Sequence, residues 1–549
     1  MLSTMQDVPL LISRILRHGA TVHASSQVIT WTDGAEPRRR SFAEIGSRTA
    51  QLAHALRDEL GVREGDRVGT LMWNHAEHVE TYFAAPSMGA VLHTLNLRLP
   101  PQQLAWVVNH AEDRVVLVDG SLLPLLVPLL PHLRSVEHVV VSGPGDRSGL
   151  EGVRPRVHDY EELIAGRPTA YDWPELDERR AAAMCYTSGT TGDPKGVVFS
   201  HRSVYLHSMQ VNMAQSMGLT DADTSLVVVP QFHVNAWGLP HAALMTGFNL
   251  LMPDRFLQPG PLAEMIESVR PTHAAAVPTI WQGLLAELTA RPRDVSTLGQ
   301  VTIGGSACPP ALMEAFDALG MRVCHAWGMT ETSPLGTIAR APGHAVGTDE
   351  EFGYRVTQGR FPASVEARLR GPDGDTLPWD GRSAGELEVR GPWIAGAYYP
   401  GPDGEPLRPA EKFSEDGWLK TGDVGTITQE GYLALTDRAK DVIKSGGEWI
   451  SSVELENALM GHPEVAEAAV VAVPDEKWGE RPLATVVLKE GATADFEALR
   501  AFLAGKVARW QLPERWSVVQ TVPKTSVGKF DKKVIRKQYA DGDLDVTQL

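Results

Sequence analysis

The sequence predicts an α/β protein: a large N-terminal domain of α/β layers with a small β-rich subdomain, then a small α+β C-terminal domain. Short apolar runs such as VVLVD at 115–119, VEHVVVSG at 136–143 and TSLVVVP at 224–230 alternate with helix-like stretches such as FAEIGSRTAQLAHALRDEL at 42–60. Continuous apolar runs of that length suit buried, largely parallel strands. Between 371 and 417 the texture changes to Gly, Pro and Asp turns separating short strands such as GELEVRG, which predicts the β-rich part. A second change falls near Asp437, followed by a glycine turn (KSGGEW), a helix-like VELENALMGH, strand-like EAAVVAVP and LATVVLKEG, another helix and a basic tail. The predicted division is therefore 1–437 and 442–549, with the boundary at 438–441. At 549 residues the chain is longer than one hydrophobic core usually serves.

Composition excludes several classes. A hydrophobic fraction of 43% and a charged fraction of 22% are those of an ordinary globular protein. The formal net charge of -17 argues against a general nucleic-acid binder, because a polyphosphate partner needs a basic surface to displace its counterions. Any anionic ligand must be met by local donors. Cys185, Cys308 and Cys324 are odd in number and lack C-x-x-C spacing, so neither a disulfide framework nor a zinc site is expected, and a reducing cytoplasm is the simplest setting. The apolar run SLLPLLVPLLPHL at 121–133 is too short to span a bilayer and is broken by prolines. Residues 1–20 show no secretion signal, and no 20–50-residue period suggests a solenoid.

The sharpest local feature is YTSGTTGDPKG at 186–196, after the apolar AAAMC. Small hydroxyl residues and glycines let backbone N–H groups close around phosphate oxygens while a lysine adds charge. It is not a Walker loop, since Asp193 and Pro194 separate Gly192 from Lys195 and no Gly-Lys-Ser/Thr follows. GGSAC at 304–308 fails G-x-S-x-G, and H-E-x-x-H is absent, which disfavours a serine hydrolase or zinc protease.

The full loop resembles the phosphate-binding loop of the adenylate-forming superfamily, which includes acyl-CoA synthetases, peptide-synthetase adenylation domains and firefly-type luciferases. Other strings similar to that superfamily follow in order: WGMTETSP at 327–334, TGDVG at 421–425, TDRAKDVIKSGGEWIS at 436–451 and PKTSVGK at 523–529. The resemblance covers nearly the whole chain and implies roles for particular residues. Thr187, Ser188, Gly189, Thr190, Thr191, Gly192 and Lys195 are expected to hold phosphates, with Gly305, Ser306, Ala307, Trp327, Gly328 and Met329 around the nucleotide. In this reading Trp327 packs on adenine, Thr330 contacts the α-phosphate, Glu331 binds Mg2+, Asp423 accepts the ribose hydroxyls and Arg438 lies nearby. Taken alone, Glu331 is an ordinary capping acid and Lys529 a solvated tail lysine.

The implied activity is ATP-dependent acyl-CoA ligation: a carboxylic acid, a medium- or long-chain fatty acid being favoured, and ATP give acyl-AMP and pyrophosphate, then acyl-AMP and coenzyme A give acyl-CoA and AMP. The first step brings together two anions, so positive charge from Lys529, the loop amides and the metal on Glu331 must screen them. Catalytic roles fall to Lys529, Thr187, Glu331 and the hinge residue Lys440, about which the C-terminal domain is expected to rotate. Rotation would present a coenzyme A face at Lys444, Gly446, Gly447 and Trp449, where the glycines leave room for pantetheine. The acyl pocket is expected from His233, Val234, Trp237, Gly304, Gly328, Thr332 and Leu335. FHVNAW at 232–237 is similar to the form in medium- and long-chain fatty acyl-CoA synthetases, and Trp237 reads equally as an acyl gate or a core residue. The N-terminal MQDVPLLISRILRH, QGRFP, PWDG and KSGGEWISS look most like the fatty-acyl branch that includes the methylthiopropionate ligases. An aryl or cinnamate-type acid is the alternative substrate, and a carrier protein the alternative acceptor. The partners implied are small molecules, no nucleic acid and no transmembrane segment, with a homodimer compatible with the resemblance.

Overall fold

Apolar runs between the amphipathic helices pair in parallel. The strands Arg156–Asp159, His138–Ser142, Asp113–Asp119, Arg67–Leu71, Val91–Thr94 and Ala181–Tyr186 lie side by side in that order, all parallel. Their apolar continuity follows from burial on both faces: Val115, Val116, Leu117 and Val118 are all inaccessible. The last pair, Ala181–Tyr186 with Gly196–Ser200, is antiparallel, so the glycine-rich loop is a hairpin connection. A Walker loop instead runs from strand to helix.

The computed structural model describes every residue except 2, 33–35, 188–192, 372, 403, 446–447, 494 and 525–529, and gives only the backbone of 448–449. Among the described residues a second sheet has a 14-strand path. Its parallel part runs through Gln27–Thr30, Asn249–Met252, Thr224–Val227, His273–Ala276, Gln300–Ile303 and Arg322–Gly328. The run TSLVVVP is thus strand only to Val227. Strand Arg322–Gly328 then changes partner: His325 pairs in parallel with Ile303, whereas Trp327 pairs antiparallel with Thr337. From there the path is antiparallel through Leu335–Ile338, Gly359–Arg360, Tyr432–Arg438, Leu419–Ile427, Gly385–Arg390, Glu366–Arg370 and Thr376–Leu377. The turn-rich stretch 371–417 supplies Thr376–Leu377 and Gly385–Arg390 of these. Crevices beside the carboxyl end of a strand at such a switch are where α/β sheets bind ligands.

Local chemistry sets the helix ends. Helix Phe42–His54 starts at a reciprocal cap, in which Ser41 Oγ accepts from Glu44 N at 3.2 Å and Glu44 Oε2 accepts from Ser41 N at 2.7 Å. Prolines 124, 128 and 131 break SLLPLLVPLLPHL into short helical pieces, Gly120–Leu122, Leu123–Leu126 and Val127–His132. Among the described residues no helix is long and apolar enough to cross a membrane. All three cysteines are free and buried.

The large sheet's strand Tyr432–Arg438 leads directly into a third sheet, whose first strand is Ile443–Ser445. It contains Glu448–Ile450, Gly479–Leu488, Val465–Asp475, Arg515–Val518 and Thr547–Gln548, and is covered by helices Ser452–Met460, Phe496–Ala504 and Lys532–Asp541. Trp516, wholly buried, stacks on Phe496 with ring centroids 5.7 Å apart. Trp516→Ala should cost about 3–5 kcal/mol. Hydrogen exchange of strand Gly479–Leu488 in the full chain should accelerate accordingly, and unchanged exchange would contradict this core.

Candidate active site

The hairpin that carries the glycine-rich loop is pinned where it leaves the sheet. Thr187 N donates to Lys195 O at 2.9 Å, and Lys195 N donates to Thr187 Oγ1 at 3.3 Å. Ser188, Gly189, Thr190, Thr191 and Gly192, expected to hold phosphates, lie outside the described residues. Lys195 projects its ammonium 5.1 Å from the ring centroid of Tyr398 and 3.9 Å from Glu411 Oε1. The phenol of Tyr398 in turn donates to Glu331 Oε1 at 2.6 Å. Burial, reinforced by the charge of Glu331, pushes that phenol far above its usual range, so it stays a donor.

At the switch strand the indole N–H of Trp327 donates to Asp423 Oδ2 at 2.8 Å, and Arg438 Nε lies 3.0 Å from Asp423 Oδ1. Asp423 and Arg438 are cross-strand partners in the pair Leu419–Ile427 and Tyr432–Arg438. Each carboxylate oxygen keeps a lone pair beyond these bonds. The position of the indole depends on a glycine: a Cβ on Gly336 would stand 2.2 Å from Trp327 Cζ3.

Two cavities meet at this strand, sharing Gly305, Ala326, Trp327, Gly328 and Arg438. The first, of about 220 Å³, has a polar end at Thr187, Lys195, Thr330, Glu331, Tyr398 and Lys412. Its apolar end is formed by Val211, Met217, Val234, Trp237, Pro334 and Leu335, with His233, Gly304 and Met329 on the wall. The second, of about 300 Å³, lies between the large domain and the C-terminal domain. It is lined by Ser306, Ala307, Gln358, Asp423 and Asp437 on one side and by Glu456, Asn457, Met460, Phe530 and Lys532 on the other.

The apolar end is held in an uncommon conformation. Val234, Asn235, Ala236 and Trp237 have φ of 44°, 52°, 50° and 55°, and Gly238 follows at 76°. Four successive left-handed non-glycine residues persist only where their surroundings over-determine them. Asn235 Oδ1 accepts from Cys185 Sγ at 3.3 Å, and a Cβ on Gly238 would meet the His207 ring at 2.8 Å. His207 Nε2 accepts from Leu335 N at 3.2 Å, which requires a neutral ring, and burial lowers that imidazole to about 3. Trp237, buried, closes the cavity beside Gly304, whose added Cβ would lie 3.2 Å from Trp237 Cη2.

Most expected residues with described positions therefore gather at these cavities. Thr332 does not: it is wholly buried, and its hydroxyl is consumed inside its own turn, accepting from Met329 N at 2.9 Å and donating to Pro334 O. Lys440 lines the second cavity, and burial lowers its ammonium pKa. Lys444 is exposed, its amide donating to Glu480 Oε2 at 2.7 Å, and lines neither cavity. Lys529, Gly446 and Gly447 lie outside the described residues, as does the side chain of Trp449. Sequence reasoning missed Tyr398, Lys412, Met217 and Lys532, none of which sits in a string with a local signature, and Gln358, which opens QGRFP but carried no site role there; Tyr398 arrives beside the loop because Tyr399 bridges Gly196.

A family model described as "AMP-binding enzyme" matches residues 16–399, and one described as "AMP-binding enzyme C-terminal domain" matches 454–529. The chain belongs to the AMP-binding enzyme family. The 3-methylmercaptopropionyl-CoA ligase of Ruegeria pomeroyi is 43% identical over 544 residues, spanning 98% of this chain and 99% of that protein. The medium-chain-fatty-acid-CoA ligase of Ectopseudomonas oleovorans is 41% identical over 544 residues, 98% of each chain. The crystal structure of an anthranilate CoA ligase in complex with anthranoyl-AMP superposes with a TM-score of 0.86 at 26% identity, covering 98% of this chain and 100% of that one. Within the AMP-binding family this chain is an AMP-forming acyl-CoA ligase.

For this AMP-binding enzyme the metal donor set is short. Among the described residues no group of three or more His, Cys, Asp or Glu could hold a metal ion. Magnesium, however, is ordinarily bound through one or two carboxylates and the substrate's phosphates. Glu331, buried at the polar end with Oε2 left by Tyr398, fits that requirement.

Gly336→Ala should displace Trp327 and loosen its bond to Asp423. Overpacking of this kind costs about 1–3 kcal/mol, so KM for ATP should rise about tenfold. An unchanged KM would show that the indole does not set the nucleotide cavity.

Proposed function

We propose that this enzyme activates an aliphatic acid, a medium- or long-chain fatty acid, as its acyl-adenylate and transfers the acyl group to coenzyme A. The observation that carries this reading is one cavity with a cationic, hydroxyl-rich end at Thr187, Lys195 and Lys412 and an apolar end closed by Trp237. The similarity to ligases named for 3-methylmercaptopropionate and for medium- and long-chain fatty acids supports an aliphatic acid.

In the first step a carboxylate oxygen attacks the α-phosphorus and pyrophosphate leaves. Lys195, Thr187, Thr330 and the loop 188–192 bind and orient the phosphates, and Lys529 completes the positive charge. Glu331, with phosphate oxygens, would hold Mg2+, which neutralises phosphate charge when bound. Asp423 and Arg438 receive the ribose, and Trp327 with Ser306 and Ala307 the adenine. Val234, Trp237 and Leu335 keep water from the acyl carbonyl. In the second step the thiol sulfur attacks the acyl carbon, its proton is lost, and AMP departs with the bridging oxygen.

We assign the structure to the adenylation pose, because Phe530 and Lys532 line the nucleotide cavity while no described residue of 442–450 does. Rotation about Lys440 would then exchange this face for the one bearing Lys444, Gly446, Gly447 and Trp449. We place the enzyme in the cytoplasm, which its free, buried cysteines support. A homodimer is proposed from the resemblance alone.

Pyrophosphate release and thioester formation should be followed over straight-chain acids from propionate to palmitate, benzoates and cinnamates, each with and without coenzyme A. The highest kcat/KM is expected for a medium- or long-chain aliphatic acid, with thioester formed on free coenzyme A. An aryl acid preferred by tenfold would overturn the substrate assignment, and adenylation without thioester would point to a carrier protein.

A further inference from the structure

The C-terminal domain touches the large domain through a buried cation. Lys532 Nζ lies 2.8 Å from Glu456 Oε1 and donates to Ser452 Oγ at 2.5 Å. Ser452 passes the contact across the domain boundary, since its amide donates to Asp437 Oδ2 at 2.6 Å and its hydroxyl donates to the same oxygen. Asp437 ends the large sheet on strand Tyr432–Arg438, whereas Ser452, Glu456 and Lys532 belong to C-terminal helices. All four side chains are buried. Ser451 Oγ also donates to Thr436 O, and Arg536 pairs with Asp441 beside the hinge.

The charges give this contact a direction. Two carboxylates, Asp437 on the large domain and Glu456 on the small one, face a single ammonium. Against the burial that disfavours its charge, Glu456, Asp437 and Asp441 hold Lys532 above its ordinary range. Burial already raises Glu456 to about 7, so without that ammonium it takes up a proton, and Asp437 loses the cation that reaches it through Ser452. Moving one domain away from the other returns Asp437 to water without unfolding either domain.

We propose that Lys532, through Ser452 and Glu456, is a positioning residue that holds the C-terminal domain in the adenylation pose, so that this network sets the balance between the two half-reactions. The inference rests on the rotation reading above. Losing the network lowers the population of this pose and slows only the step that requires it.

The test compares wild type with Lys532→Met, Lys532→Arg and Ser452→Ala in the full chain. Acid-dependent pyrophosphate release and thioester formation from supplied acyl-adenylate and coenzyme A are measured separately. Lys532→Met should slow the first about tenfold or more, a shift of the size one lost charged contact produces, and leave the second within about twofold or faster. Lys532→Arg should recover much of the loss. Ser452→Ala is the decisive variant. Its side chain lines neither cavity, the helix keeps its Ser451 cap, and it should shift the ratio in the same direction with KM for ATP unchanged. Equal loss in both half-reactions, or an unchanged ratio in Ser452→Ala, overturns the proposal. In wild type, tryptic cleavage at Arg438 and Lys440 should differ between enzyme with ATP and enzyme with acyl-adenylate and coenzyme A. Identical cleavage overturns the rotation reading and the proposal with it, whereas ligand-dependent cleavage with an unshifted ratio overturns the proposal alone.

Discussion

Asp423 stands between an indole N–H and a guanidinium, and the arrangement of the site follows from that one carboxylate. Trp327 comes from the strand where the parallel sheet gives way to an antiparallel one, and Arg438 from the last strand before the C-terminal domain. A single buried anion therefore ties the nucleotide cavity to the hinge. Asp423 also explains why Trp327 presents its ring to both cavities: with the N–H engaged and Gly336 against the ring, the indole has one place to lie. The constraint is electrostatic as much as steric, since a buried carboxylate must keep its donors.

From that anchor the two cavities divide the chemistry. The second cavity opens between domains, so under the proposed rotation its dimensions would change. The acyl side is enclosed by the large domain alone, and its floor is a left-handed turn pinned by Asn235 and a neutral His207. In the proposed reading, selectivity for the acid belongs to the large domain and turnover to the rotation of the small one. Strain at 234–237 is held by packing on every side, which suits a wall that must not yield to the wrong substrate.

Much of this was legible in the sequence because the phosphate loop and the switch-strand string are local. YTSGTTGDPKG contains its own glycines, hydroxyls and lysine, and the strands on either side of it pair with each other. Apolar runs likewise marked the parallel strands, since burial on both faces leaves little choice of residue. Illegible were positions created by register. Tyr398 reaches Glu331 only because Tyr399 bridges Gly196, and Lys532 meets Asp437 only through the docking of helix Ser452–Met460. Thr332 shows the opposite failure: it belongs to the right string, but the turn takes its hydroxyl. The end of TSLVVVP at Val227 has a similar cause, as the chain leaves the ladder to enter the strained turn. Whether Trp237 is core or gate was undecidable from sequence, and the structure makes it a buried residue that is also a cavity wall.

The central claim is that the acid's own oxygen becomes bonded to the α-phosphorus of ATP before the thiol attacks. The most direct measurement follows that oxygen. With acid labelled by 18O at both carboxylate positions, and ATP and coenzyme A unlabelled, mass spectrometry of the AMP formed in one turnover should find one 18O atom per molecule, with none in pyrophosphate. Unlabelled AMP, or label recovered in inorganic phosphate, would contradict an acyl-adenylate.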